Sequence, residues 1–258
     1  MSFKAVKSAV GTRHISKSGF EFEVIEDLGK GLRRIKFLDE FGWETVVDSA
    51  NVTSGSCGNL YGRTIQGVGY FGEGPHDSLN NPKAYQLWYG MFARCYSEKA
   101  LLQKPSYGDK FVGKQWHNFQ DFANWCDAEH GFGVEGWELD KDILFPRNKE
   151  YGPDKCCFVP GDLNIAFCGT AKRRKKDNLP LGIYFEDVTS KYVAVGRNNG
   201  KQFKIGRYKT LIDAILAYKG HKEAYMKILA EKYKGVVSNK VYLAVLNYKE
   251  VSGEEYVL

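Results

Sequence analysis

Apolar and polar positions alternate near the start of the chain. "FEFEVIEDL" (20–28), "LRRIKFLDE" (32–40) and "WETVVD" (43–48) each carry the period-2 pattern of a half-buried strand. Gly29-Lys30-Gly31 and Asp39-Glu40-Phe41-Gly42 supply turns between them. From Lys83 the period lengthens. In "KAYQLWYGMFARCYS", Tyr85, Trp88, Met91 or Phe92 and Cys95 fall on one helical face. In "QWHNFQDFANWCDAEHG", Trp116, Phe119, Phe122, Ala123 and Cys126 do the same, with Gly131 as the expected C-cap. Both aromatic stripes read as core.

Three strands at the spacing of residues 1–55 predict a small, strongly bent barrel of the SH3-like kind. Residues 56–82 are glycine-rich and patternless and read as a linker crossing the surface. Gly67, Gly69 and Gly72 spell Gly-x-Gly-x-x-Gly, but no strand leads in and no helix follows directly, so the context of a dinucleotide fingerprint is missing.

Residues 137–164, "WELDKDILFPRNKEYGPDKCCFVPGDLN", hold the densest polar chemistry. Trp137–Leu144 alternates like a strand, with Glu138, Asp140 and Asp142 on one side. "FPRNKEYGPD" is turn chemistry, "KCCFVP" a second strand, and "GDLNIAFCGT" opens a short helix with Asp162 near its N-cap. The acidic pair reads either as an oxygen-ligand metal site or as a solvated hairpin face. Further on, "AKRRKKDNLP" carries Lys172, Arg173, Arg174, Lys175 and Lys176 in a row. Three short strands follow, Gly182–Phe185, Tyr192–Arg197 and Gln202–Arg207, with Asn198-Asn199-Gly200 as a hairpin turn. Thr210 is placed to N-cap an amphipathic helix.

Charge sharpens the picture. The chain has 258 residues and a formal net charge of +6. Residues 165–234 contain 16 Lys and Arg against 6 Asp and Glu, about +10, so the remainder carries about −4. A basic module on a neutral or acidic body points to a polyanion partner. Cysteines 57, 95, 126, 156, 157 and 168 form no C-x-x-C pair, as in a reduced cytosolic protein with buried thiols. No apolar run reaches transmembrane length and "MSFKAVKSAV" has no signal-peptide core, so the expectation is a cytoplasmic protein with no membrane partner.

"YQLWYGMFARCY", "WHNFQDFANW" and "LDKDIL…NKEY…CCFVP…LN", in this order across 83–170, resemble the HNH-like homing endonucleases of phages. "LGIYFE", "KYVAVGR", "FKIGRYKT" and "DAILAYKGHKEAY", across 182–228, resemble the APETALA2-type DNA-binding domain. The resemblance implies an α+β protein. Its parts are an SH3-like barrel (1–55), a Gly-rich linker (56–82), a helical plus ββα-metal unit (83–170) and a basic linker (171–181). A three-stranded sheet with a helix (182–234) and a C-terminal extension (235–258) complete it. The first resemblance implies Mg²⁺ or Mn²⁺ on Asp140, Asp142 and Asn164, with Asp140, Lys141, Asp142 and Asn148 as the catalytic set. The family's general-base histidine is absent, and Lys141 or Asp142 stands in its place. His117, the nearest histidine in sequence, reads as a helix-surface residue. The second resemblance implies double-stranded DNA as partner, with the sheet in the major groove. Lys191, Arg197, Lys201, Lys204 and Arg207 are then contacts, Tyr184 and Tyr192 stack or pack, and residues 172–176 track phosphates. The functional expectation is a sequence-recognising DNA endonuclease. The alternative is a cleavage-deficient relative acting as a DNA-binding repressor.

Overall fold

The computed structural model describes residues 8–168, 179–198 and 200–251. It is a mixed α+β structure with several small sheets and, among the described residues, seven α-helices. The chain divides into two units, Met1–Trp125 and Cys126–Leu258.

In the first unit the alternating segments become β1 (Arg13–Ile15), β2 (Glu21–Gly29), β3 (Leu32–Phe37) and β4 (Glu44–Asp48). They form one antiparallel sheet in the order β1-β2-β3-β4. Register sets Phe22 opposite Phe37 and Val24 opposite Ile35. All four are buried with Val52 and Cys57, the core that period-2 patterning predicts. Strands β1 and β4 are the edges, so the sheet is an open meander and not the expected closed barrel. Their three and five residues leave little ladder with which to close it.

The short helix α1 (Ser49–Ser54) follows β4 and ends at Gly55 with φ +70°. Helix α2 (Pro82–Tyr96) begins with proline at its first turn, where a missing N–H costs nothing. Helix α3 (Glu98–Gln103), strand β5 (Phe111–Val112) and helix α4 (Phe119–Ala128) follow. Trp88, Phe92 and Phe119 pack with ring centroids about 5 Å apart, and Trp88 Nε1 donates to Trp116 O at 2.7 Å.

Residues 56–82 are no linker over the surface. Cys57 and Ile65 are buried, and the Phe71 ring packs against Tyr85 and Trp88. Gln120 Nε2 donates to Phe71 O and His76 O. The glycines have steric reasons: a Cβ on Gly69 would press on Trp88, and one on Gly72 (φ +69°) would overlap Asn118.

In the second unit β6 (Trp137–Asp140) pairs antiparallel with β8 (Cys157–Pro160), with β7 (Glu150–Tyr151) in the connection. Helix α5 (Gly161–Cys168) follows β8 directly, giving strand, strand, helix in that order. Gly131 lies beyond the end of α4, in a turn at φ +91° where a Cβ would overlap the Trp137 ring. Strands β9 (Ile183–Glu186), β10 (Lys191–Asn198) and β11 (Lys201–Tyr208) form an antiparallel sheet in the order β11-β10-β9.

Helix α6 (Leu211–Tyr233) follows, and Thr210 caps it by accepting the Asp213 N–H at 3.1 Å. Its 23 residues serve two cores. Ala214, Ile215 and Tyr218 cover the three-stranded sheet. Met226, Leu229 and Ala230 pack against Ile143, Cys157, Val159 and Leu163 of the strand-strand-helix unit. Helix α7 (Asn239–Leu246) closes that second core with Val241 and Val245. Residues 235–251 are therefore part of the ββα core, and the segments read as 83–170, 182–234 and 235–258 are interleaved through α6 and α7.

Candidate functional site

Strand β6 stops at Asp140 because the side chain turns the backbone. Asp140 Oδ1 accepts the N–H groups of Asp142 and Ile143, both at 2.7 Å. The turn drives Ile143 into the core. Asp140 is only 6% exposed. Burial pushes its carboxyl above the usual carboxylate range, against the opposing pull of the two backbone N–H groups.

Lys141 is equally buried. Its Nζ donates to both oxygens of Asp142 at 2.8 and 2.7 Å and to Asn148 O at 2.7 Å. Asn148 holds the loop from inside: Nδ2 donates to Lys141 O and Glu150 O, and Oδ1 accepts the Glu150 N–H. Asn164, on α5, donates from Nδ2 to Glu138 Oε2 at 2.6 Å.

The proposed ligands are thus rearranged. Asp142 lies in the turn and not on the strand, so i, i+2 spacing does not pair it with Asp140. The strand partner of Asp140 at that spacing is Glu138, and Asn164 is tied to it. Alternation alone exposed Glu138, but nothing local linked it to Asn164, which lies 26 residues on.

Among the described residues no three His, Cys, Asp or Glu side chains gather as a metal group. Both oxygens of Asp142 accept from the Lys141 ammonium. Asp140, Glu138 and Asn164 are oxygen donors of the kind Mg²⁺ or Mn²⁺ takes. The two turn N–H groups both use Asp140 Oδ1, which leaves Oδ2 for a cation. Cys57, Cys95, Cys126, Cys156 and Cys157 are buried free thiols, as expected. Burial pushes the Cys156 thiol up to about 12, far from a thiolate ligand. His117 lies on a 3₁₀ turn (Lys114–His117), half-buried and not on a helix surface, with Nε2 bonded to Val112 O at 3.0 Å. Burial lowers its pKa.

The basic sheet is sorted by register. Ile183, Ala194 and Tyr192 face α6, as do Ile205 and Tyr208. Cross-strand partners share a face. Tyr184 lies opposite Val193 and Arg207, Glu186 opposite Lys191, Lys204 opposite Val195, and Gln202 opposite Arg197. These side chains form the outer face. A bulge decides its composition. Pairing steps from Ala194–Gly206 to Val195–Lys204 and skips Ile205. Lys204 and Arg207, three residues apart, therefore share the outer face, which strict alternation forbids. Lys201, opposite Asn198, falls on the other face from Arg197 and Gln202, so alternation does not group it with the other expected contacts. Tyr192 packs edge-on against Phe185 at 5.1 Å, while Tyr184 belongs to the outer face. Lys172, Arg173, Arg174, Lys175 and Lys176 lie outside the described residues.

Among the cations of this face, at the end of the edge strand β9, stands Glu186, which sequence reasoning passed over. Its Oε2 accepts from Arg207 Nε at 2.5 Å and from Thr189 Oγ1 at 2.6 Å. Its Oε1 accepts from Arg207 Nη2 at 3.1 Å and Lys204 Nζ at 3.4 Å. The Arg207 guanidinium holds its carboxyl down at about 2.

Among the described residues no helix is long and apolar enough to cross a membrane. Comparison of the chain with protein-family models, curated proteins and solved structures finds no match.

Proposed function

We propose that this chain binds double-stranded DNA through the outer face of β9–β11 and cuts it with a divalent-metal centre on the β6–β8–α5 hairpin. The observation that carries the reading is the outer face: Lys191, Arg197, Lys204 and Arg207 stand together on a sheet backed by a capped helix. That arrangement agrees with an APETALA2-like reader, and β6–β8–α5 agrees with an HNH-like ββα unit. The ion would sit on Asp140 with Glu138 and Asn164. When bound, Mg²⁺ or Mn²⁺ supplies Lewis-acid stabilisation of the leaving oxygen. The chain's own contribution is placement. Asn148 shapes the loop, Asp140 offers its second oxygen, and the basic sheet supplies affinity.

One observation favours a second reading, a DNA-binding repressor without cleavage. Lys141 or Asp142 stands where the endonucleases that the hairpin resembles carry a histidine base, and the Lys141 ammonium is committed to Asp142 and Asn148. A lysine donating to those acceptors cannot take a proton from water.

Incubating the protein with supercoiled DNA and MgCl₂ or MnCl₂ tests both. The expected result is metal-dependent nicking or cutting that Asp140→Ala abolishes while DNA affinity stays within about twofold, since phosphate and base contacts reside on the sheet. Binding without cleavage by the unaltered protein, with either metal, replaces the first reading with the second.

A further inference from the structure

We infer that Glu186 is a specificity-determining residue: it holds Arg207 as a fixed base-reading fork and keeps Arg207 and Lys204 off the phosphate backbone. The inference rests on the DNA-binding reading of the outer face and assigns it a discriminating element.

A carboxylate is a poor component for a surface that only needs to attract phosphate. It repels the backbone and cancels neighbouring cations. Glu186 nevertheless ends the edge strand β9 among the cations of this face, with Lys191 across the strand pair and Lys204 and Arg207 on its two oxygens. Its own position is fixed by the Thr189 hydroxyl. The fold is adjusted to permit this, because without the bulge at Ile205 only one of the two cations would share its face.

The geometry of the Arg207 contact matters most. Glu186 engages the side edge of the guanidinium, Nε and Nη2. A guanidinium has five N–H donors in a planar fork. Side-on pairing leaves the end edge, Nη1 and Nη2, with two parallel donors, the pair that matches O6 and N7 of guanine. The paired arginine meets DNA with its plane already set, and its charge is largely neutralised unless the correct base edge is presented. Lys204, with Nζ 3.4 Å from Oε1, is restrained by the same carboxylate. The low carboxyl pKa keeps Glu186 charged throughout the physiological range.

The test uses the full chain, a pool of short duplexes of randomised sequence, and the site that the unaltered protein enriches from that pool. Glu186→Gln keeps the shape and removes the charge. Its preference for the enriched site over the pool should fall roughly tenfold, within the range of one lost bidentate contact. Its affinity for the pool should rise, and its salt dependence should steepen by about 0.9 for each cation released onto a phosphate. Arg207→Lys, which keeps the charge and loses the fork, should lose the same preference. The double variant should lose little more than either single one, as expected for two residues acting as a unit. Thermal unfolding of each variant confirms that the sheet is intact.

Unchanged preference and salt slope in Glu186→Gln overturns the inference. So does a double variant whose losses add in full, because Glu186 would then act without Arg207. If the unaltered chain binds the pool with no salt dependence, the DNA reading itself falls and takes this one with it. If the unaltered chain binds normally and only the Glu186 variants fail to respond, the DNA reading stands and the role of Glu186 alone is lost.

Discussion

A carboxylate as enclosed as that of Asp140 is costly when ionised, and its raised pKa says so. The consequence for stability has a definite sign. The folded value lies above the unfolded one, so the stabilising contribution is complete below the unfolded pKa of about 3.9. It is lost as pH rises through the folded value. Asparagine keeps an oxygen for the Asp142 and Ile143 N–H groups and removes the charge. Asp140→Asn should therefore unfold at the same or a higher temperature than the unaltered protein at neutral pH, with a flatter stability profile in weak acid. Asp140→Ala removes the acceptor and should cost about 1–3 kcal/mol, the penalty for orphaned buried donors. Thermal melts across pH separate the two. An Asn variant as damaged as the Ala variant would show that the charge itself supports the turn. On the proposed metal-centre reading, a stable Asp140→Asn protein should also lose cleavage.

At the scale of elements, α6 links the three-stranded sheet to the ββα hairpin. Its first half is in one core and its second half in the other, with Met226 fully buried in the latter. A continuous helix of this kind transmits destabilisation, because the intrahelical ladder is cooperative. Met226→Ala should cost about 2–5 kcal/mol, the usual range for emptying a buried site. Native-state hydrogen exchange should then quicken in β9–β11 as well as in β6 and β8. Exchange that quickens in the hairpin alone would mean that the halves of α6 open independently.

At the scale of the whole molecule, charge decides behaviour. Residues 165–234 hold about +10 against about −4 elsewhere. DNA affinity should fall linearly with the logarithm of salt, by about 0.9 per phosphate contact. Neutralising Lys172, Arg173, Arg174, Lys175 and Lys176 together should weaken every sequence alike and flatten that slope, since phosphate contacts carry no base information. Arg197→Ala should instead cost about 1–3 kcal/mol on the enriched site and relax preference at one position. Titrations of both variants against an enriched and a scrambled duplex at two salt concentrations distinguish them. A flat slope for the unaltered chain would remove duplex DNA as the partner.

The sequence alone determined what neighbours along the chain determine. Phe22, Val24, Ile35 and Phe37 declared their strands by alternation, Trp88, Met91 and Cys95 their helix by period, and Thr210 the start of α6 by its capping hydroxyl. Such features are legible because strand pleat, helical pitch and caps act over a few residues. The ββα order and the capped helix behind three strands came the same way. The rest was decided by tertiary structure. Strand β1 has only three residues and no apolar alternation to announce it. The glycine-rich segment is packed because distant side chains, Trp88, Asn118 and Gln120, approach its backbone. Asp142 is claimed by Lys141 and not by Asp140 because Asp140 itself ends the strand. Glu138 joins Asn164, Glu186 joins Arg207, and one bulged residue changes which cations share a face. Each of these depends on register or on partners far apart in the chain. A one-residue slip reverses every side chain of a strand, and no local pattern records it.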